Sequence, residues 1–249
     1  MKAAEIAALR GHQVTLYEKD GNLGGRFLLA AIPPQKQILK DFIDQLIRQL
    51  KKLPVKIVLG KSFTLASLKR GRPEVVIVAT GAKSFFPPID GIRESKAISV
   101  EDVLSGSIPL GRKVLVVGGG GIGSEVADHL SEDGKEVTLI EMREGIALDL
   151  VGHLQHFLNK RLREKGVQIL VNTKATRFER EGLWVEDPQG IRKLEGFDSM
   201  VISLGSIPNN ELVELLKGKV SEVYVVGDAS KPREVMEAVF EGEEIALKI

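Results

Sequence analysis

The sequence predicts an α/β fold with two units, each built around a parallel sheet, and three observations predict it. Runs of β-branched residues alternate along the chain with amphipathic helical patterns, which is typical of parallel sheets covered by helices. The stretch from Lys113 to Glu141 holds a complete strand, glycine corner, helix and second strand. A stretch near the start of the chain repeats the second half of this pattern, which indicates two copies of one unit.

Length, charge and composition limit the classes of function. The 249 residues suffice for two modest domains with cores of their own. The net charge of +1 favours neither nucleic acid nor a membrane surface as a partner. Because no apolar run reaches membrane-spanning length and no signal-peptide core opens the chain, we expect a cytoplasmic protein. The chain has 0 cysteines, so any redox chemistry of these residues must come from an organic cofactor.

The central stretch carries a glycine corner between a strand and a helix. Val114 to Val117 predicts a strand buried on both faces. After it, we expect Gly118 to form the tight turn, Gly120 to let backbone amides approach a pyrophosphate, and Gly123 to let helix and strand pack closely. The helix N-terminus then faces the phosphates. The predicted corner consists of Gly118, Gly120, Gly121, Ile122 and Gly123.

The second strand of this stretch, Val137 to Ile140, ends on Glu141. An acid about twenty residues beyond the corner can bind a ribose 2′-hydroxyl. With the whole strand–helix–strand context present, the stretch predicts a Rossmann-like dinucleotide site rather than a glycine turn without a ligand. Glu141 favours NADH over NADPH, because a carboxylate repels the extra phosphate of NADPH, although Arg143 weakens that preference.

An incomplete copy of this unit opens the chain. Aligning Gly11 with Gly134 places VTLYE over VTLIE, and Glu18 over Glu141. A second matched pair lies further on, where two strands end in ATG at Gly81 and in LG at Gly205. Under this alignment Met1 falls just after the third glycine of the corner, so we expect the first copy to lack its opening strand and glycine loop. The alternative is that Met1 begins an unrelated α/β unit.

Other elements follow from apolar periodicity and from turn residues. Helices are predicted at Met1 to Leu9, Gln37 to Lys52, Ser99 to Leu104, Leu150 to Lys165, and Pro232 to Lys248, the last with proline in its first turn. Strands are predicted at Gln13 to Tyr17, Val55 to Leu59, Val75 to Val78, Val167 to Val171, Ala175 to Glu179, Val201 to Ser203, and Val223 to Val226, with a hairpin of Leu183 to Val185 and Ile191 to Leu194.

The histidines do not predict a metal site. His153 and His156 lie three residues apart on a predicted helix, and Asp149 could share their face. No further ligand is evident nearby, so we interpret both histidines as solvated helix residues and expect no metal ion.

Five segments together resemble one protein family: VTLYEKDGNLGG, VIVATG, VVGGGGIG, SLGSIPN and VYVVGDASKPREVMEAVFEG. They are similar to the C-terminal portion of bacterial NADH:flavin oxidoreductases related to Old Yellow Enzyme, the branch that includes 2,4-dienoyl-CoA reductase and trimethylamine dehydrogenase. The similarity covers essentially the whole chain, and the run that begins at Gly227 is its most specific part. It implies two Rossmann-like dinucleotide-binding domains in a flavin disulfide-reductase-like arrangement, the first without its opening strand and glycine loop.

The resemblance also implies domain limits and cofactor residues. Residues 1–106 plus 221–249 would bind FAD or ADP, and residues 107–220 would bind NAD(P)H. Glu18 would hold the adenosine ribose of FAD, although Glu18 and Asp228 could equally be ordinary strand-end acids and Arg26 a solvated side chain. The cofactor residues implied outside the central corner are Glu18, Lys19, Gly24, Gly25, Arg26, Ala79, Thr80, Gly81, Gly205, Gly227 and Asp228.

The activity implied is that of a reductase module. NADH would pass hydride to a flavin, and electrons would continue to FMN and an iron–sulfur cluster in an upstream TIM barrel that these residues do not contain. No catalytic acid, base or nucleophile is expected, because the cofactors make and break the bonds. The isolated chain would then be incomplete, with its own activity in question. The alternatives are a non-catalytic ADP- or NAD-binding module, or a small subunit completed by another polypeptide; a homo-oligomer is also open.

Overall fold

The computed structural model describes residues 1–249 and divides into two units. Unit 1 comprises Met1–Ala31, Lys36–Lys83 and Ser206–Ile249, and unit 2 comprises Ile32–Gln35 and Ser84–Gly205. The sequence-based limits assign the segments 32–35, 84–106 and 206–220 to the opposite units. The α/β fold class expected from the sequence is confirmed.

The secondary structure alternates strands and helices through most of the chain. The helices are α1 (Lys2–Leu9), α2 (Arg26–Ala30), α3 (Gln37–Leu50), α4 (Leu65–Gly71), α5 (Val100–Leu104), α6 (Gly121–Glu132), α7 (Gly152–Glu164), α8 (Glu211–Leu216) and α9 (Val235–Lys248). The strands are β1 (Val14–Tyr17), β2 (Val55–Val58), β3 (Val75–Val78), β4 (Ala82–Ser84), β5 (Ile98–Ser99), β6 (Lys113–Val117), β7 (Glu136–Ile140), β8 (Gln168–Leu170), β9 (Lys174–Glu179), β10 (Gly182–Asp187), β11 (Gly190–Glu195), β12 (Ser199–Ile202), β13 (Ser206–Pro208) and β14 (Glu222–Val225).

Unit 2 contains a five-stranded parallel sheet in the order β5-β12-β6-β7-β8. Its central strand β6 is buried from Val114 to Val117, as the β-branched run predicts. One face of the sheet packs on an antiparallel layer formed by β9, β10 and β11, where Leu115 and Val117 meet Phe178 and Leu183. The strand that precedes the glycine corner is therefore held rigidly on both faces.

Helix α6 is fixed against the sheet and against α7. Val126 and Ala127 are fully buried on its inner side. On its other side, the carboxylate of Asp128 accepts hydrogen bonds from Arg161 at 2.9 Å and from Lys165 at 2.8 Å. Since Asp128 is 1% exposed, these two cations compensate a buried charge and join the two helices.

Unit 1 contains parallel pairs where unit 2 has a continuous sheet. Strand β1 pairs with β2, and β3 pairs with β14, but the two pairs are separate sheets. By the sequence repeat, β1 corresponds to β7 and β3 to β12. No strand of unit 1 corresponds to β6, in agreement with the expected loss of the opening strand. The short strands β4 and β13 form a further pair.

The final helix begins later than predicted. It starts at Val235, so Pro232 lies outside it rather than in its first turn. A 3₁₀ turn at Gly227–Ala229 follows β14, and the side chain of Asp228 accepts a hydrogen bond from the backbone N–H of Arg233 at 3.1 Å. This contact holds the segment between Asp228 and Arg233 in a loop. None of the helices is both long and apolar enough to span a membrane.

Candidate nucleotide-binding site

The predicted site residues of unit 2 lie at one edge of its sheet. Gly118 follows β6, Glu141 follows β7, and Gly205 lies three residues beyond the end of β12. The three strands are parallel neighbours, with β6 between β7 and β12, so their carboxyl ends share this edge. In the sheet, β7 and β8 lie on one side of β6, and β12 and β5 lie on its other side. Open α/β sheets bind their ligands at such a switch point in the strand order.

Two glycines of the corner are required by the fold. Gly118 has φ of 105°, and a Cβ there would lie 2.2 Å from the carbonyl oxygen of Ser203. A Cβ at Gly123 would lie 1.9 Å from the carbonyl oxygen of Gly118. Because real Cβ atoms never come that close to backbone oxygens, no side chain fits at either position. The tight turn and the close helix packing predicted for them match this geometry.

Gly120 differs from these two because the fold leaves room for a side chain. Its φ of −63° suits any residue, and the nearest atom to a built Cβ is a carboxylate oxygen of Asp149 at 3.4 Å. Ile122 is 52% exposed and has no role in the core. A glycine at position 120 therefore leaves space for a ligand that approaches the backbone, which is the role predicted for it.

Glu141 is the buried acid of the site. Its side chain is 7% exposed. Oε2 accepts a hydrogen bond from the backbone N–H of Gly119 at 2.8 Å, and Oε1 accepts from the backbone N–H and Nε of Arg143 at 2.9 and 3.1 Å. Oε2 keeps one free lone pair, so Glu141 can still accept a hydrogen bond from a hydroxyl group. The acid is tied directly to the glycine corner.

The loop between β7 and α7 contains residues that the sequence did not identify as part of the site. Asp149 was considered only as a metal ligand, yet its carboxylate accepts a hydrogen bond from the backbone N–H of Gly121 at 2.8 Å. The Nη2 atom of Arg143 lies 3.9 Å from Asp149. The backbone N–H of Ala147 donates to the carbonyl oxygen of Gly119 at 2.7 Å. The loop thus packs on the glycine corner itself.

In unit 1, the expected residues around Glu18 follow β1. The Glu18 carboxylate accepts a hydrogen bond from the backbone N–H of Asp20 at 3.1 Å, and Lys19 is paired with Asp20. Further along, Gly24 and Gly25 have φ of 123° and 51° and lead into α2. Arg26, the first residue of α2, donates to the Ser206 hydroxyl at 3.3 Å.

The remaining candidates of unit 1 share the carboxyl edge of the β3–β14 pair. Ala79, Thr80 and Gly81 follow β3, and Gly227 and Asp228 follow β14. The Thr80 hydroxyl donates to the carbonyl oxygen of Asn209. These five positions are brought together by strand pairing alone.

Gly227 is held by a charged pair on the last helix. Its backbone N–H donates to Glu241 at 2.7 Å, and Arg233 pairs with the same carboxylate. Burial raises the pKa of Glu241, but the hydrogen bonds from Arg233 and Gly227 outweigh it and hold that pKa below its ordinary value of 4.5. Glu241 was not identified from the sequence, because one glutamate among several in a helical pattern is not distinctive.

No cluster of three or more histidine, aspartate or glutamate residues is placed to hold a metal ion. His153 and His156 lie on α7. His156, together with Asn159 and Arg163, lines a surface groove of about 670 Å³ beside the loop after β7.

Comparison with known proteins gives one family for the whole chain. The model of the pyridine nucleotide-disulphide oxidoreductase family matches residues 1–242. The chain is 34% identical to a bilirubin reductase of Mediterraneibacter gnavus over 244 residues, which are 97% of this chain and 38% of that protein. It is 32% identical to an NADH oxidase of Thermoanaerobacter brockii over 254 residues, which are 100% of this chain and 39% of that protein.

A solved structure of a 2-naphthoyl-CoA reductase matches this chain over its whole length, with a TM-score of 0.95 and 29% identity. The match covers 38% of the reductase chain. The chain therefore spans about two fifths of the length of these relatives, in agreement with a resemblance to a portion of longer flavin-dependent oxidoreductases. The family's name refers to a disulphide, but this chain has 0 cysteines. The chain belongs to the pyridine nucleotide-disulphide oxidoreductase family.

Proposed function

We propose that this chain is the nucleotide-binding reductase portion of an NADH:flavin oxidoreductase. Unit 2 binds NADH at the glycine corner, and unit 1 binds FAD or ADP. A flavin held by unit 1 would supply the redox chemistry: it would accept hydride from NADH and pass electrons to FMN and an iron–sulfur cluster in an upstream barrel, on the same enzyme or a separate subunit. The residues of this chain bind, orient and shield the nucleotides in a cytoplasmic setting, where NADH is available.

The single observation that carries the proposal is the geometry of Gly120. A glycine is not needed there by the fold, whereas Gly118 and Gly123 admit no Cβ at all. The backbone N–H of the next residue, Gly121, already donates to an anionic group. Donors of this kind at the first turn of a helix fit a pyrophosphate.

The preference for NADH rests on Glu141 and Arg143. A 2′-phosphate placed at the Glu141 carboxylate would be repelled, whereas a 2′-hydroxyl can donate to it. The Arg143 guanidinium could counter this by binding a phosphate, but it is paired with Glu141 at 3.1 Å. We therefore favour NADH over NADPH.

The proposal for unit 1 rests on the residues at its strand ends. Glu18 would bind a ribose, and Gly24, Gly25 and Arg26 would lie along a pyrophosphate. Ala79, Thr80 and Gly81 would pack near the nucleotide, and Gly227 and Asp228 would lie near ribityl and phosphate groups. These roles follow the family resemblance. Because the strand pairs of unit 1 are separate sheets, we retain ADP as an alternative ligand to FAD.

The second candidate function is a nucleotide-binding module without redox chemistry, or a small subunit completed by another polypeptide. The observation in its favour is that β1–β2 and β3–β14 form separate two-stranded sheets, with no strand of these residues in the place that β6 has in unit 2. These residues of unit 1 would therefore offer a nucleotide fewer phosphate donors than the glycine corner of unit 2.

One experiment separates the two functions. The purified chain is examined by absorption for bound flavin, and NADH is titrated against it by calorimetry. The reductase predicts a flavin spectrum together with saturable NADH binding, whereas the binding module predicts NADH binding by a colourless protein. Absence of saturable binding of either nicotinamide nucleotide would overturn both.

The matched variants are Gly120→Ala and Ser107→Ala. Position 120 has room for a Cβ, so the alanine variant is expected to unfold at the wild-type urea concentration and to bind NADH at least tenfold more weakly, because its methyl group fills the approach to the backbone donors. Ser107 lies in the connection between α5 and β6, outside the glycine corner, so its variant is expected to bind NADH like the wild type. Equal NADH affinity in Gly120→Ala would refute the assigned site.

A further inference from the structure

A carboxylate of the chain itself lies at the phosphate-binding position of unit 2. Gly121 is the first residue of α6, a helix of 12 residues. Its backbone N–H has no partner within the helix, so it can donate a hydrogen bond to an anion. Both oxygens of Asp149 lie within hydrogen-bond distance of this nitrogen, at 2.8 and 3.1 Å.

The segment that carries Asp149 is fixed at one end and open at the other. Ile146 and Ala147 are 2% and 0% exposed, and Ala147 is held in the left-handed region with φ of 52° while it donates to Gly119. The Asp149 side chain, by contrast, is 56% exposed. Its carboxylate can therefore leave Gly121 for solvent without disturbing the buried part of the loop.

The charges around the corner oppose a second anion. Glu141 and Asp149 supply two carboxylates, and Arg143 supplies the cation between them, 3.1 Å from Glu141 and 3.9 Å from Asp149. A pyrophosphate would bring further negative charge to the N–H that Asp149 occupies. One N–H cannot serve both anions at close range, so the two states exclude each other.

We propose that Asp149 is an internal competitor of the nucleotide pyrophosphate and sets the affinity of unit 2 for NADH. This inference rests on the proposed function, because it assumes that a dinucleotide binds at the glycine corner. In the free protein the Asp149 carboxylate fills the anion position. Binding requires it to leave Gly121, so the observed affinity is reduced by the fraction of molecules in which Asp149 is engaged.

The test compares the wild-type chain with Asp149→Asn and Asp149→Ala, using calorimetric titration with NADH and with adenosine. NADH carries a pyrophosphate and adenosine carries none. Both variants are expected to bind NADH about fivefold to tenfold more tightly than the wild type, because the competing charge is gone. Affinity for adenosine is expected to stay the same.

The matched control is Asp133→Asn, which removes one carboxylate at the opposite end of the same helix, where the side chain is 58% exposed. Its NADH affinity is expected to equal that of the wild type. Equal or weaker NADH binding by both Asp149 variants would overturn the inference while leaving the nucleotide site in place. If NADH binds to none of the proteins, the proposed function fails and the inference fails with it.

Discussion

Gly123 and Gly118 approach each other so closely that a Cβ on the first would lie 1.9 Å from the carbonyl oxygen of the second. This contact joins the start of α6 to the turn after β6. It means that the fold requires the third glycine of the corner, whereas it leaves room for a Cβ at Gly120, where we propose that a ligand approaches the backbone. The three-glycine pattern combines two different physical requirements.

Gly123→Ala is therefore expected to destabilise the protein by about 3 kcal/mol, since the clash is with backbone and only a shift of α6 can relieve it. The measurement is the urea midpoint of unfolding. Gly152→Ala is the matched control, because a Cβ there meets nothing within 4 Å. A Gly123→Ala protein as stable as the control would contradict the packing described here.

Replacing Glu141 should change which nicotinamide nucleotide binds. Glu141→Ala removes the carboxylate that repels a 2′-phosphate and releases Arg143 from its 3.1 Å ion pair. We expect the ratio of NADPH to NADH dissociation constants to fall at least tenfold, since one hydrogen bond to a charged group is worth about 1.5 kcal/mol or more. The ratio is measured by titration and does not depend on the fraction of folded protein.

The control for this change is Glu144→Ala, which removes an exposed acid three residues further along the same loop. It is expected to leave the ratio unchanged. If both variants alter the ratio alike, the effect comes from the general charge of the loop rather than from Glu141.

The buried carboxylate of Asp128 should be important for stability. Asp128→Ala removes the acceptor that Arg161 and Lys165 share, and is expected to cost about 3 kcal/mol in the free energy of unfolding. Both cations keep partial access to water, at 30% and 25% exposure, so complete unfolding is not expected. Urea unfolding checks the value.

Glu132→Ala provides the comparison on the same helix. Glu132 is 58% exposed and reaches Lys165 at 3.6 Å, so its loss is expected to cost less than about 1 kcal/mol. A similar loss in the free energy of unfolding for both variants would show that the burial of Asp128 does not increase its contribution to stability.

The long, periodic elements could be predicted from the sequence, and the short or irregular ones could not. The run from β6 through α6 to β7 was correctly placed because its apolar periods and glycines are local signals. Helices α4 and α8, with 7 and 6 residues, are too short to show a clear apolar face and were not predicted. The same holds for the three-residue strands β4 and β13.

The candidate site divides in the same way. Gly118 and Gly123 could be assigned from their spacing, and Glu141 from its place at a strand end. Asp149 could not, because its contact with Gly121 spans 28 residues and depends on the path of an irregular loop. Local sequence patterns indicate which residues form a helix or strand, but they do not indicate which distant residues a loop contacts.

The ion pair at the carboxyl edge of β14 predicts a pH dependence of stability. The pKa of Glu241 is held below 4.5, so the folded protein binds this proton less tightly than the unfolded chain does. The stabilisation from ionised Glu241 is then fully present above pH 4.5 and is lost as the pH falls through the lowered pKa. Acid should weaken the link between α9 and Gly227.

Glu241→Gln keeps an acceptor for the Gly227 N–H but removes the charge that pairs with Arg233, so we expect it to be less stable than the wild type by about 1 kcal/mol at pH 7. This difference should shrink as the pH falls below 4.5 and through the lowered pKa, because the wild-type carboxylate then becomes protonated. Urea unfolding at a series of pH values measures it. Glu244→Gln, which alters an exposed pair with Lys248 on the same helix, is the control and is expected to show little difference at any pH. If Glu241→Gln stays less stable than the wild type by the same amount at every acidic pH tested, a lowered pKa is contradicted, because the loss of stability would then come from the shape of the side chain rather than from its charge.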